Sequence, residues 1–217
     1  MAVSTPASEV TNGPVLGIAD PAPLGLAAFA LTTFLLSAKN AGWTHGTDAW
    51  LGYAFAYGGF VQLLAGMWEF RRNNVFGATS FSTYGGFWIG LFAYVQFVAG
   101  KATASQVSND LGWILLAFAI FNTYMLLWSL QVNEAVLAVF LTLEITEIVL
   151  FIGNFTGSST TIKLGGYLGV LTALCAWYAS ASGVINGMLE RPLLPVGGPL
   201  GMLGGRRGGQ TVSPVPR

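Results

Sequence analysis

The chain alternates between long apolar runs and short polar breaks. A helix needs a run of roughly 20 apolar residues to cross the hydrocarbon layer of a bilayer. Six such runs occur, over 23–38, 49–70, 76–98, 111–130, 135–153 and 164–189. The first is short, and the last is long enough to outrun the bilayer and tilt. The brief connections predict that successive helices lie antiparallel and adjacent. The pattern therefore predicts an all-α membrane protein, with a six-helix transmembrane domain over 20–191 between two tails. Residues 1–19 contain no Lys or Arg and lack the basic start and apolar core of a secretory signal, so they read as a disordered tail. Residues 192–217 are rich in Gly and Pro and read as a flexible tail.

Composition changes the picture only by naming the solvent. The chain is 53% hydrophobic and 8% charged, whereas soluble domains carry about 25% charged residues. So little charge cannot cover so much apolar surface in water. Net charge is zero, which gives no sign of a nucleic-acid partner. The lone Cys175 cannot form an intrachain disulfide. There is no phosphate-binding or dinucleotide loop and no zinc-ligand spacing, so neither a metal nor a cofactor is expected. The single histidine, His45, sits in a predicted loop and reads as solvated, with a pH-sensing role as the alternative. No Ser/His/Asp set can be placed inside the membrane and no helix-embedded lysine could form a Schiff base, so catalysis is not expected.

Orientation follows from Lys and Arg. Arg71, Arg72, Arg191, Arg206, Arg207 and Arg217 fall on one side, and Lys39, Lys101 and Lys163 on the other, which predicts cytoplasmic termini. Asn154-Phe155-Thr156 is a glycosylation sequon, but it hugs the membrane and reads as chance. Gly86/Gly90, Gly165/Gly169 and Gly183/Gly187 are small residues one turn apart, a pattern of close helix packing. Tyr57-Gly58-Gly59-Phe60 recurs as Tyr84-Gly85-Gly86-Phe87, either as an internal repeat or as local packing.

The most informative segment is Asp20-Pro21-Ala22-Pro23-Leu24-Gly25-Leu26, where the first apolar run begins. Asp20 suits an N-cap, and proline in the first turn forfeits no hydrogen bond. Free N–H groups at a helix start attract anions, although Asp20 would repel one; a well-made helix start is the plain alternative.

DPAPLGL at 20–26, followed by AFALTTFLL at 28–36, closely resembles the N-terminal signature of the acetate uptake transporter family, the acetate/succinate permeases of bacteria with archaeal and fungal relatives. That signature usually begins Asn-Pro, where this chain has Asp20. The resemblance continues through YGGFVQLLAG at 57–66 with Trp68-Glu69, through NVFGAT at 74–79 with FSTYGGFW at 81–88, and through Ile152-Gly153-Asn154. It implies a six-helix protomer with its own central pore, assembled as a homo-oligomer, a hexamer, in the plasma membrane. It implies transport of acetate and, in some members, succinate or other short monocarboxylates, by proton-coupled or channel-like means. It also implies an apolar-aromatic pore constriction at Phe29, Tyr84 and Leu143.

Such a pinch can gate by dewetting, and a charged carboxylate loses favourable hydration in it. Acetate offers a methyl to the apolar wall and a carboxylate to the Tyr84 hydroxyl. Gln62 lies deep in the second run, and Thr32, Thr33, Ser82, Thr83 and Asn122 dot others; these fit a wet path, or packing for the hydroxyls. Asn154 ends the fifth run and is placed on the same path.

Two acids stand in the fifth run. Glu144 falls near its midpoint, where a charge costs on the order of 3 kcal/mol. Glu147 follows Leu143 by one turn on nearly the same face, while Glu144 is rotated by about 100°. The bacterial family pattern is uncharged at both positions. Each acid is either proton-linked to transport or a packing acid bonded to a neighbour; a permanently ionised pair beside the pore would repel acetate. The rival functions are a channel for another small solute and a membrane-embedded sensor or scaffold.

Overall fold

A computed structural model describes residues 17–47 and 49–201. The extreme tails, with Arg206, Arg207 and Arg217, lie outside the described residues. Among the described residues every regular element is helical. Helix α1 spans Ala22–Asn40. Helix α2 (Leu51–Tyr53), a π-helical stretch (Ala54–Val61) and α3 (Gln62–Arg71) follow without a break and form one rod. Then come α4 (Val75–Phe97), α5 (Ala104–Ser129), α6 (Glu134–Thr156) and α7 (Ser159–Leu189). Helix α5 begins seven residues before the apolar run that predicted it, because its first two turns are polar. Thr103 and Gln106 fix that start as a reciprocal capping box. Helix α7, at 31 residues, is about 46 Å long, more than the hydrocarbon core requires.

Four helices, α1, α5, α6 and α7, are long and apolar enough to cross a membrane. Helix α4 is as long as α6 but is not one of these four, its sequence being rich in Gly, Ser, Thr and aromatic residues of low hydropathy. The surface is inverted relative to a soluble protein: Phe60, Trp113, Ile120 and Leu174 are more than half exposed, while Gln62, Glu69 and Asn122 are fully buried.

The rods form a ring. Helix α1 packs chiefly on α7 and also on the π–α3 rod; α6 lies between α5 and α7; α4 packs on the π–α3 rod. The expectation of sequential neighbours holds for α3–α4, α5–α6 and α6–α7 but not for α4–α5. Large aromatics hold that pair apart, with Phe87 and Phe118 ring centroids 4.6 Å apart and Tyr84 and Phe121 5.5 Å apart. Against the π–α3 rod α4 has the opposite chemistry. A Cβ on Gly66 would meet the Ser82 backbone nitrogen at 2.7 Å, and one on Gly85 would meet that of Leu63 at 2.8 Å. The two Tyr-Gly-Gly-Phe segments thus sit where backbones nearly touch. Gly165 and Gly169 are also close-packed and Gly183 faces Pro23, whereas Gly86, Gly90 and Gly187 face open space.

The tail expected to be flexible from residue 192 is docked over 193–200. Asn186 accepts hydrogen bonds from the Leu193 and Leu194 N–H groups (2.8 and 3.0 Å) and donates to the Leu194 carbonyl. Tyr178 donates to the Pro195 carbonyl at 2.6 Å, and the Ala135 and Leu200 N–H groups bond the Val196 and Leu130 carbonyls. Polar side chains on α7 meet the backbone groups that a Pro-rich segment leaves unpaired.

Candidate functional site

Phe29 on α1, Tyr84 on α4 and Leu143 on α6 meet at the ring axis, all buried, with the Phe29 and Tyr84 rings edge-on at 5.6 Å. Three cavities run in series through the ring. The first, beside the start of α1 and the α5–α6 turn, has a volume of about 80 Å³ and includes Gln62, Glu69, Asn74 and Ser80 in its wall. The second, of about 50 Å³, includes Thr33, Ser37, Trp88 and Glu147. Phe29, Tyr84 and Leu143 line both, so they form the partition between them. The third, of about 280 Å³, shares Leu36, Asn40, Phe87, Leu115 and Leu150 with the second and opens beside Lys39, Thr47 and Asn154.

The entrance segment divides by residue. Ala22 and Leu26 line the first cavity. Pro23 turns toward α7, its carbonyl accepting the Ser180 hydroxyl at 2.6 Å, and Gly25 seats the Phe81 ring. Leu24 is exposed and off the path. Asp20 is not the N-cap; Pro21 holds that position, yet an Asp20 oxygen still accepts from the Ala22 N–H at 3.0 Å. Asp20 also pairs with Arg72, which offsets the repulsion its charge would exert on an anion.

The Tyr84 hydroxyl is not free to greet a carboxylate. It lies 3.1 Å from Asn122 Oδ1 and 3.3 Å from Glu147 Oε1, and its one proton serves both acceptors. Asn122 in turn donates to Glu144 Oε2 at 2.7 Å and to the Phe140 carbonyl at 3.0 Å. Thr123 donates to Glu144 Oε1 at 2.8 Å. The two acids therefore differ in kind: Glu147 is buried and lines the second cavity, while Glu144 lines none of the three and is held in the α5–α6 seam. The 100° rotation between them is the cause. Asn154 lies in the wall of the third cavity with its amide donating to the Leu150 carbonyl.

Sequence reasoning missed Glu69 as a wall residue. It is fully buried, accepts from Asn74 at 2.9 Å and keeps Oε1 unpartnered. The sequence had marked it only as part of the Trp68-Glu69 pattern of the family resemblance. The available signal was its spacing from Gln62 by seven residues, two turns along one helix face.

A sequence profile of the GPR1/FUN34/yaaH family matches residues 4–192. The chain belongs to the GPR1/FUN34/yaaH family. Acetate permease A of Emericella nidulans is 39% identical over 196 residues, covering 82% of this chain. Ammonia transport outward protein 2 of Saccharomyces cerevisiae is 40% identical over 178 residues, covering 79%. The chain spans 65% and 63% of the length of these two fungal relatives. The succinate-acetate/proton symporter SatP of Escherichia coli is 33% identical over 180 residues, covering 83% of this chain and 96% of SatP. A solved structure of the bacterial acetate channel SatP superposes with a TM-score of 0.79 at 32% identity, covering 83% of this chain and all of that one. With its apolar helices, this family membership makes the chain a multi-pass membrane protein.

Proposed function

We propose that the protein passes acetate and related small carboxylates across a membrane through the axis of each protomer. The observation that carries this reading is the sharing of Phe29, Tyr84 and Leu143 between two cavities in series. A partition of one aromatic, one phenol and one aliphatic side chain stops hydrated ions by dewetting and penalises a bare carboxylate. It admits a small acid whose methyl fits the wall and whose charge is compensated on either side. The acetate and succinate-acetate functions named for relatives point to the same class.

In this reading all six rods cross the bilayer, the π–α3 rod and α4 being tolerated because their polar atoms face the path or each other. The termini are cytoplasmic, on the side of Arg71, Arg72 and Arg191. Self-contained pores assemble as a hexamer in the plasma membrane; the exposed Gly86 and Gly90 on α4 offer a close-approach face for a neighbour. Glu147, and through Asn122 also Glu144, are the proton-linked groups.

A second reading is a route for ammonia or ammonium. It is favoured by the unpartnered Glu69 Oε1 and Glu147 Oε2, which would accept N–H donors, and by the name of the yeast relative. Purified protein in liposomes, given labelled acetate, succinate, formate, lactate or methylammonium, separates the two. Carboxylate flux above that of empty liposomes, altered by Phe29→Ala and Tyr84→Ala, supports the first reading. Methylammonium flux without carboxylate flux supports the second, and no flux of either kind supports a sensor or scaffold.

A further inference from the structure

The second cavity carries three buried polar atoms without a partner in its wall residues: Thr33 Oγ1, Trp88 Nε1 and Glu147 Oε2. Their residues are 6%, 3% and 4% exposed. Buried polar groups are nearly always hydrogen-bonded, so three orphans around one small hole need a common explanation. An indole N–H can only donate and a threonine hydroxyl can donate. The space, about 50 Å³, exceeds the roughly 30 Å³ share of one water molecule in the liquid, so only a small occupant fits it.

We propose that this cavity is a carboxylate-binding chamber in which the carboxylate accepts hydrogen bonds from Thr33 and Trp88 and shares one proton with Glu147. The proposal rests on the transport reading and names where and how the substrate is held. Two carboxylates in so small and dry a space cannot both be charged, so the pair carries one proton between them. Glu147 Oε2–H donates to a carboxylate oxygen. Transfer within that hydrogen bond breaks the Oε2–H bond, forms the substrate O–H bond, and leaves a neutral acid beside an ionised Glu147. The Tyr84 hydroxyl, 3.3 Å from Oε1, then donates to the new charge. The neutral acid faces the apolar partition without the desolvation penalty of an anion, and Glu147 regains its proton from water in the third cavity.

The groups that face Glu147 are consistent with this. Its own helix supplies Glu144, held by Asn122 and Thr123. Helix α4 supplies Tyr84, and α5 supplies the uncharged Asn122. Helix α1 presents Thr33 and Ser37 to the chamber, and α7 reaches this level as Thr172, bonded to Thr146 at 3.1 Å. No cation lines the chamber among the described residues; Lys39 stands in the wall of the third cavity.

Infrared difference spectroscopy on the purified full chain, with and without ¹³C-labelled acetate at mildly acidic pH, reads the shared proton directly. Acetate is expected to perturb a protonated-carboxyl C=O band that is absent in Glu147→Gln and retained in Glu144→Gln. In liposomes from the same preparations, Thr33→Val and Trp88→Phe are each expected to raise the acetate KM about tenfold with kcat little changed, the scale of one lost hydrogen bond to a charged group, and Thr33→Ser to restore it. The proposal is overturned if acetate leaves every carboxyl band unmoved while flux is normal, or if both donor variants keep the parent KM. A parent protein that passes no acetate at all defeats the transport reading instead, which is a separate outcome.

Discussion

Asn122 joins Tyr84 of the partition to Glu144 in the seam between α5 and α6, so its removal has a calculable effect. Asn122→Leu keeps the branched shape and deletes three interhelical bonds, from the Tyr84 hydroxyl at 3.1 Å, to Glu144 at 2.7 Å and to the Phe140 carbonyl at 3.0 Å. Interhelical hydrogen bonds inside membranes average about 0.6 kcal/mol and reach about 1.7. Bonds to a charged group in proteins run about 1.5–3 kcal/mol. The Tyr84 hydroxyl retains Glu147, and Glu144 retains Thr123, so neither is orphaned and the low end applies. The expected loss is about 1–2 kcal/mol, measured by unfolding of the purified protein in mixed micelles with increasing denaturing detergent. Tyr84→Phe in the same background isolates the shared bond, and the double-mutant cycle is expected to return a coupling of about 0.6–1.7 kcal/mol. The sharper consequence is functional. With Asn122 gone, the Tyr84 proton has a single acceptor, Glu147, and uptake at a given pH changes although no cavity-lining group has been altered. Zero coupling in the cycle, together with unchanged uptake, would refute the network as drawn.

Other outcomes follow from single contacts. Leu143→Ala removes the aliphatic third of the partition and is expected to raise succinate flux relative to acetate several-fold in a competition assay. Gly66→Val places side-chain carbon where the Ser82 backbone nitrogen would lie 2.7 Å from Cβ; the rods must separate, and a loss of at least about 1–3 kcal/mol of stability is expected, whereas Gly86→Val, facing open space, leaves the isolated protomer's stability unchanged. Lys39→Gln removes the only charge in the wall of the third cavity among the described residues; acetate entry is expected to slow at low salt and to match the parent at high salt, where the Debye length shrinks to about 3 Å. Asn186→Ala deletes three bonds to the strap over 193–200 and is expected to expose that segment to limited proteolysis, with flux retained.

The helices were legible because a membrane forces the simplest code: an apolar run must satisfy its own backbone, so length and hydropathy mark it. What hydropathy could not mark was the polar first two turns of α5, visible only as the Thr103–Gln106 box, and the π-helical stretch around Gly58 and Gly59, which looks like any apolar run. The convergence of Phe29, Tyr84 and Leu143 was available only through family resemblance, since residues on three helices share no spacing. The difference between Glu144 and Glu147 was legible from helical phase alone. The partner of Glu144 was not, because Asn122 meets it across a seam between two helices. The strap was misread for a related reason: Gly and Pro predict irregular backbone, and irregular backbone can still dock when side chains such as Asn186 and Tyr178 bond it.

The route through the partition is tested most directly by placing a thiol in it. In a Cys175→Ser background, Leu143→Cys protein reconstituted in liposomes is treated with a small thiol-reactive reagent while labelled acetate uptake is followed. Uptake is expected to fall to the level of empty liposomes, with acetate slowing the modification and the background protein unaffected by the reagent. Complete modification of Cys at 143 with uptake undiminished would show that the acid travels elsewhere.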